Sequence, residues 1–236
     1  MPLRRKRRRK SPARRRRYPR RRRRRITRYR RRRLPLLTGF GNKKLARLRY
    51  VEARAIDPIS GGISTLSYSA NGLYDPYLGT GGHQPRGFDQ WMLTYQDYTV
   101  IGSKMWMQPL VGSVGNAVPG AFGIIKSNET SFPFSDVTDV MESKRNKGIR
   151  LQIAGSNNIG PTRRAMATYS HRKHFGTKRS ISSADFTGTA TSNPATTVWY
   201  YPWYASIGGS DPSGLSFLFT IDYIGVFTNA KSLDAS

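Results

Sequence analysis

The sequence predicts an all-β protein behind a long basic leader, and three observations carry that expectation. Glycine (23) and proline (14) punctuate the chain, and the segments between them are short and rich in aromatic and β-branched residues. Near the C-terminus Leu215, Phe217, Phe219, Ile221 and Tyr223 fall on one face of an alternating stretch, with Ser216, Thr220 and Asp222 on the other. Helical spacing, by contrast, recurs only twice and over short spans.

In chain order, candidate strands run over residues 45–56, 62–70, 97–110, 120–127, 147–154, 164–175, 196–207 and 214–229. The stretch "TTVWYYPWYASI" is apolar on both faces, as expected of a strand covered on each side, and Pro202 within it predicts a bulge or an edge position. One short helix is expected where Phe88, Trp91, Met92 and Tyr95 recur at i, i+3, i+4 and i+7, with Asp89 as a candidate cap. A weaker one is expected at Val137, Val140 and Met141. Asp136, Asp139 and Glu142 around it are explained by capping and an exposed acidic face. Long loops separate the strands, at about 71–88, 112–120, 155–163 and 180–195. Eight strands with long loops and one or two short helices, and no repeat of 20–50 residues, predict a two-sheet sandwich, of which the eight-stranded jelly roll is a common form.

The leader is a different kind of polymer. Residues 1–33 hold 22 of the 41 Lys+Arg and none of the 13 Asp+Glu, so the remaining 19 cations leave the body at only +6. Such a segment has almost nothing apolar to bury and is expected to be disordered when free. Its cations are Arg4, Arg5, Lys6, Arg7, Arg8, Arg9 and Lys10, then Arg14, Arg15, Arg16, Arg17 and Arg20. Arg21, Arg22, Arg23, Arg24, Arg25, Arg28, Arg30, Arg31, Arg32 and Arg33 complete it. Twenty are Arg and two are Lys, whereas the body has ten and nine. Guanidinium pairs bidentately with phosphate and stays charged, so this bias points to nucleic acid, bound without regard to sequence and weakened steeply by salt. Tyr18 and Tyr29 stand among the arginines, suited to stack on unpaired bases, with chance interruption of a low-complexity tract as the other reading. Lys43, Lys44 and Arg47 continue the basic track into the first strand. For Arg49 and Arg54, solvated strand positions are an equal reading. The run "RRKRRRK" (4–10) also matches a nuclear import signal, a use compatible with the first. The expected organisation is an arm at 1–33, a linker at 34–44 and a folded domain at 45–236.

Other chemistry finds little support. With no cysteine there are no disulfides, thiolate metal sites or Cys nucleophiles. There is no signal-peptide core and no apolar run long enough for a membrane span, so no membrane insertion is expected. His171 and His174 in "HRKH" have ligand spacing only on a helix. On the strand expected there they diverge, and they read better as an extension of a basic surface. "GTGGHQ" (79–84) has Gln84 where a dinucleotide loop needs glycine and reads as a flexible loop around His83. No coherent catalytic set emerges; the expectation is a non-enzymatic protein without metal or cofactor.

The stretch "PRGFDQWMLTYQDYTVIGSKMWMQPL" (85–110) resembles circovirus-like capsid proteins of small circular single-stranded DNA viruses, in which a short aromatic helix leads into a strand. Phe88, Asp89, Trp91, Tyr95, Tyr98, Val100, Gly102, Ser103 and Lys104 carry the likeness. The Arg-rich arm, the closing aromatic strand and the turn "YSHRKHFG" (169–176) are similar in type and position. The resemblance implies a jelly roll assembling as a homo-oligomer of sixty copies in a T = 1 shell, with the arms inside on a single-stranded DNA genome. It also implies recognition by a nuclear import receptor, residence in the virion and host nucleus, and attachment to a host surface receptor that the sequence does not identify. Sixty such arms supply roughly 1,300 positive charges, comparable to the phosphates of a genome of roughly one to two thousand nucleotides. The competing expectation is a cellular nucleic-acid-binding protein, ribosomal or chromatin-like, with a basic tail. An enzyme acting on nucleic acid is a third, for which a catalytic cluster is missing.

Overall fold

The computed structural model describes residues 41–58, 62–110, 119–144, 146–153, 164–176, 181, 183–206 and 214–231 of the chain. Two antiparallel sheets pack face to face. The first takes β1 (Lys43–Ile56), β10 (Leu215–Ala230), β4 (Tyr95–Pro109) and β7 (Ala165–Ser170) in that spatial order, with β8 (Gly188–Thr189) on the start of β4. The second takes β9 (Trp199–Ser206), β5 (Pro119–Ser127) and β6 (Asn146–Ile153) in order. Its other edge is formed by the short strands β2 (Ile63–Thr65) and β3 (Tyr68–Ser69), both paired to β9. With β2 and β3 counted as one broken strand and β8 set aside, the sheets read 1-8-3-6 and 2-7-4-5. That order, in which the chain passes between sheets at nearly every connection, is a jelly roll.

Alternation drives the closure. On β10 the five residues expected inward, Leu215, Phe217, Phe219, Ile221 and Tyr223, are all buried. Its neighbour β1 pairs with it without interruption from Lys43↔Thr228 to Ile56↔Leu215, longer than expected at its start by two residues that had been assigned to the linker. On the other side, the β10–β4 register shifts between Ile224 and Gly225, where Ile101 of β4 is the extra residue with no β10 residue opposite it. Between the sheets Tyr50, Tyr68, Tyr98, Tyr200 and Tyr223 pack with Phe88, Phe122, Phe217 and Phe219. These five tyrosines are tolerated inside because their hydroxyls are bonded. Tyr223 Oη donates to the Ser69 carbonyl at 2.6 Å, Tyr200 Oη to the Ser103 carbonyl at 3.1 Å, and Tyr98 Oη accepts from Leu73 N at 3.0 Å. Gly188 is required by this packing, since a Cβ there would run into the Tyr98 ring.

The double-sided apolar character of β9 has its expected meaning. Tyr200 and Tyr204 face the intersheet core, while Trp199, Tyr201, Trp203 and Ala205 face a second core outside the sheet. That core is roofed by Phe132, Phe134 and α2 (Val137–Glu142), which starts as expected with Asp136 accepting from Thr138 N at 3.0 Å. Pro202 is neither at a bulge nor on an edge. It lies in the middle of β9, opposite Ile124 of β5. Its carbonyl accepts from Leu66 N at 3.1 Å, and a strand residue's nitrogen points to the same side as its carbonyl. The missing N–H therefore faces the break between β2 and β3, where a ladder bond is already absent. The expected single strand at 62–70 is split there.

Two further expectations are corrected. The helix α1 (Phe88–Thr94) forms where expected, with Phe88 against Tyr98 (5.3 Å, edge-on) and Trp91 stacked on Phe227 (5.5 Å). Its cap is Gly87 in the left-handed region (φ 91°), and Asp89 sits in the first turn without capping. The strand expected at 164–175 ends at Ser170, and His171–Phe175 is a third short helix, α3, closed by Gly176 at φ 69°. The i, i+4 pair His171 and Phe175 decides it: a helical turn brings their rings to 4.9 Å and lets both pack on Phe186.

Candidate nucleic-acid interface

The cations and tyrosines expected between Arg4 and Arg33, including Tyr18 and Tyr29, lie outside the described residues, as do most of the loops at 112–120 and 155–163. Lys43, Lys44 and Arg47 are exposed on β1. Strand alternation turns Lys43 and Arg47, with Arg49, onto the outer face of the first sheet, and Lys44 to the opposite side. Lys43 lines a depression with Asp97, Thr228 and Asn229. Arg47 lines a larger groove across the middle of the sheet.

That groove, about 730 Å³, runs over β1, β10, β4 and β7. Arg47, Arg49, Lys104, Trp106, Thr168, Ser170, Asp222 and Ile224 line it. A second hollow of about 220 Å³, bounded by Arg49, Trp106, Gln108, Arg164 and Thr220, lies on the other side of Trp106. Trp106 stands between the two. The Lys104 ammonium is 4.7 Å from the centre of its ring, and the Arg164 guanidinium carbon 5.8 Å, both within cation–π range. The face thus gathers four cations against one carboxylate, Asp222, among the described lining residues. Arg49 takes that carboxylate in a two-pronged pair, Nε to Oδ1 at 2.6 Å and Nη2 to Oδ2 at 2.9 Å. The Asp222 hydrogen bond, followed by its charge, raises the already high Arg49 pKa, so the guanidinium stays charged throughout.

Lys104, Trp106 and Arg164 were not singled out as site residues from the sequence. The signal was present: in "SKMWMQ", Ser103, Met105 and Met107 are buried and alternate with Lys104, Trp106 and Gln108 on the open face. An apolar residue among apolar neighbours hides this period, because Trp106 reads as core.

The histidine cluster is not the basic surface expected. His171 is only 1% exposed, and burial, then the neighbouring His174, lowers its pKa from 6.5. His174 is lowered too, by desolvation and then by Lys126. Both are therefore neutral near pH 7. The helix does give them ligand spacing, but Tyr169 Oη engages His171 Nδ1 at 2.9 Å and Asn128 Oδ1 engages His174 Nε2 at 2.6 Å. Among the described residues no group of three or more metal-binding side chains gathers. The 79–84 loop is held to β1: Arg54 Nη2 donates to the carbonyls of Thr80 (3.2 Å) and Gly81 (2.9 Å), and His83 stacks on Tyr50 at 4.5 Å.

No protein-family model matches the chain, and no curated protein matches it. Among solved structures the chain is similar to the 60-mer BFDV capsid protein, with 13% identity over 84% of this chain and all of that one, at a TM-score of 0.40. It is similar to the empty head of turnip yellow mosaic virus, with 8% identity over 86% of this chain and 89% of that one (TM-score 0.45). A tobacco necrosis virus structure gives 12% identity over 82% and 85% (TM-score 0.45).

Proposed function

We propose that this chain is the coat protein of a small icosahedral virus, with the jelly roll tiling the shell and the Arg-rich arm packaging single-stranded DNA. The observation that carries the reading is the joining of two parts in one chain. One is a sandwich with the 1-8-3-6 and 2-7-4-5 strand order. The other is a leader holding more than half of the molecule's cations and none of its acids. Closed symmetry makes many weak lateral contacts cooperative. Repulsion between the arms opposes assembly until phosphates neutralise them, so condensation of the genome and closure of the shell are coupled. The basic face around Arg47 and Lys104 supports this division, because it adds positive charge to the sheet whose first strand receives the arm. In this reading residues 1–33 are the nucleic-acid-binding segment and 45–236 the shell domain. A T = 1 shell of sixty copies, nuclear import through the 4–10 cluster and attachment to a host receptor complete the scheme.

Electron microscopy of the purified full chain, with and without single-stranded DNA, tests it. Closed particles of uniform size that contain nuclease-protected DNA are expected. A monomer that binds and releases DNA without forming particles would instead place the chain with cellular nucleic-acid-binding proteins.

A further inference from the structure

We propose that the folded domain itself holds a nucleotide of single-stranded nucleic acid on the outer face of the first sheet, with Trp106 as the base platform and Lys104, Arg164 and Arg47 as phosphate donors. This rests on the reading of the chain as a nucleic-acid-packaging protein, and extends it from the arm to a built site. The groove beside Trp106, about 730 Å³, is of a size that suits a small ligand. Its chemistry selects the ligand class. A large aromatic ring at a half-buried position on an open sheet face offers stacking to any base. Lys104 and Arg164, whose cationic groups lie over that ring at 4.7 and 5.8 Å, can swing off it to pair with the phosphate of the same nucleotide as the base takes their place. Sequence-specific recognition is not called for, since stacking and phosphate pairing serve every base.

Charge works against the nearest competitor. The chain's own leader, with 22 cations and no acid, is electrostatically disfavoured on a face carrying Arg47, Lys104 and Arg164, which favours an anion instead. Asp222 does not fill that need, because Arg49 already takes both its oxygens.

The test uses the full chain and a twelve-nucleotide oligo-dT carrying one 5-iodouracil, cross-linked by light and mapped by peptide mass spectrometry. An adduct on the peptide containing Trp106 is expected. It should persist in Trp106→Phe and fall by about tenfold or more in Trp106→Leu, as loss of one stacked base implies. Lys104→Gln combined with Arg164→Gln should lower it without changing the circular dichroism spectrum. Adducts confined to the arm would overturn this site while leaving packaging intact, and failure of the chain to bind the oligonucleotide at all would overturn both. Displacement by polyglutamate as effectively as by unlabelled oligo-dT would mean a general anion face, and would also overturn the nucleotide site.

Discussion

Arg54 Nε donates to Glu52 Oε1 at 2.6 Å, and the pair is the hub of one end of the sandwich. Glu52 also accepts from Tyr50 Oη at 2.6 Å and Tyr68 Oη at 3.2 Å, while Arg54 lies 3.9 Å over the Tyr77 ring and holds the 79–84 loop through its carbonyls. Only 10% of the Glu52 side chain and 24% of the Arg54 side chain are exposed. Glu52→Ala should therefore destabilise the fold by about 3 kcal/mol, because it strands a half-buried cation and two hydroxyls together. Chemical denaturation measures this, with faster proteolysis within residues 79–84 as the local sign.

Asn71 makes the second prediction. It is buried, its Nδ2 donating to the Thr196 carbonyl and its Oδ1 accepting from Val198 N, both at 2.8 Å. These bonds tie the loop after β3 to the entry of β9. Asn71→Ala should cost about 2 kcal/mol, and Asn71→Asp should recover part of it by keeping the acceptor. Denaturation midpoints of the three proteins give the order.

Alkaline pH should unfold the domain through its tyrosines. Burial pushes Tyr98 and Tyr201 up to about 12, and raises Tyr50, Tyr68, Tyr169, Tyr200 and Tyr223 as well. The folded state keeps protons that the unfolded chain releases near pH 10, so this stability is complete below pH 10 and is lost as pH rises from there through the folded values. Phenolate absorbance should rise in one cooperative step together with loss of β-structure, rather than as independent titrations.

Acid should act through His171. Its lowered pKa means that the unfolded chain takes up a proton first, near pH 6.5, so its contribution to stability is present above that value and is lost as pH falls below it. His171→Phe retains the ring contacts with Phe175 and Phe186. It should show a smaller loss of stability than the parent chain between pH 6.5 and 4.5, measured by denaturant midpoint.

What was legible in the sequence was local. Period-two burial on β10 and the aromatic spacing of α1 are properties of a few neighbouring residues, and both appear as expected. Strand order is set by contacts between distant residues, such as Arg49 with Asp222, and no local pattern encodes them. Pro202 depends on such a contact, since only the partner strand's break at Leu66 makes a central proline tolerable. The α3 turn is hidden in the sequence because His171 and Phe175 fit an alternating tract until Phe186, from a distant loop, supplies their common contact. Trp106, a tryptophan between two methionines, looks like core in the sequence, although its sheet face is open.

Deleting residues 2–33 and measuring nuclease-protected DNA per protein tests the proposed division between arm and shell domain most directly. The full chain should protect DNA at physiological salt. The shortened chain should protect almost none while retaining the β-sheet circular dichroism of the folded domain. Equal protection by the two proteins would contradict the account.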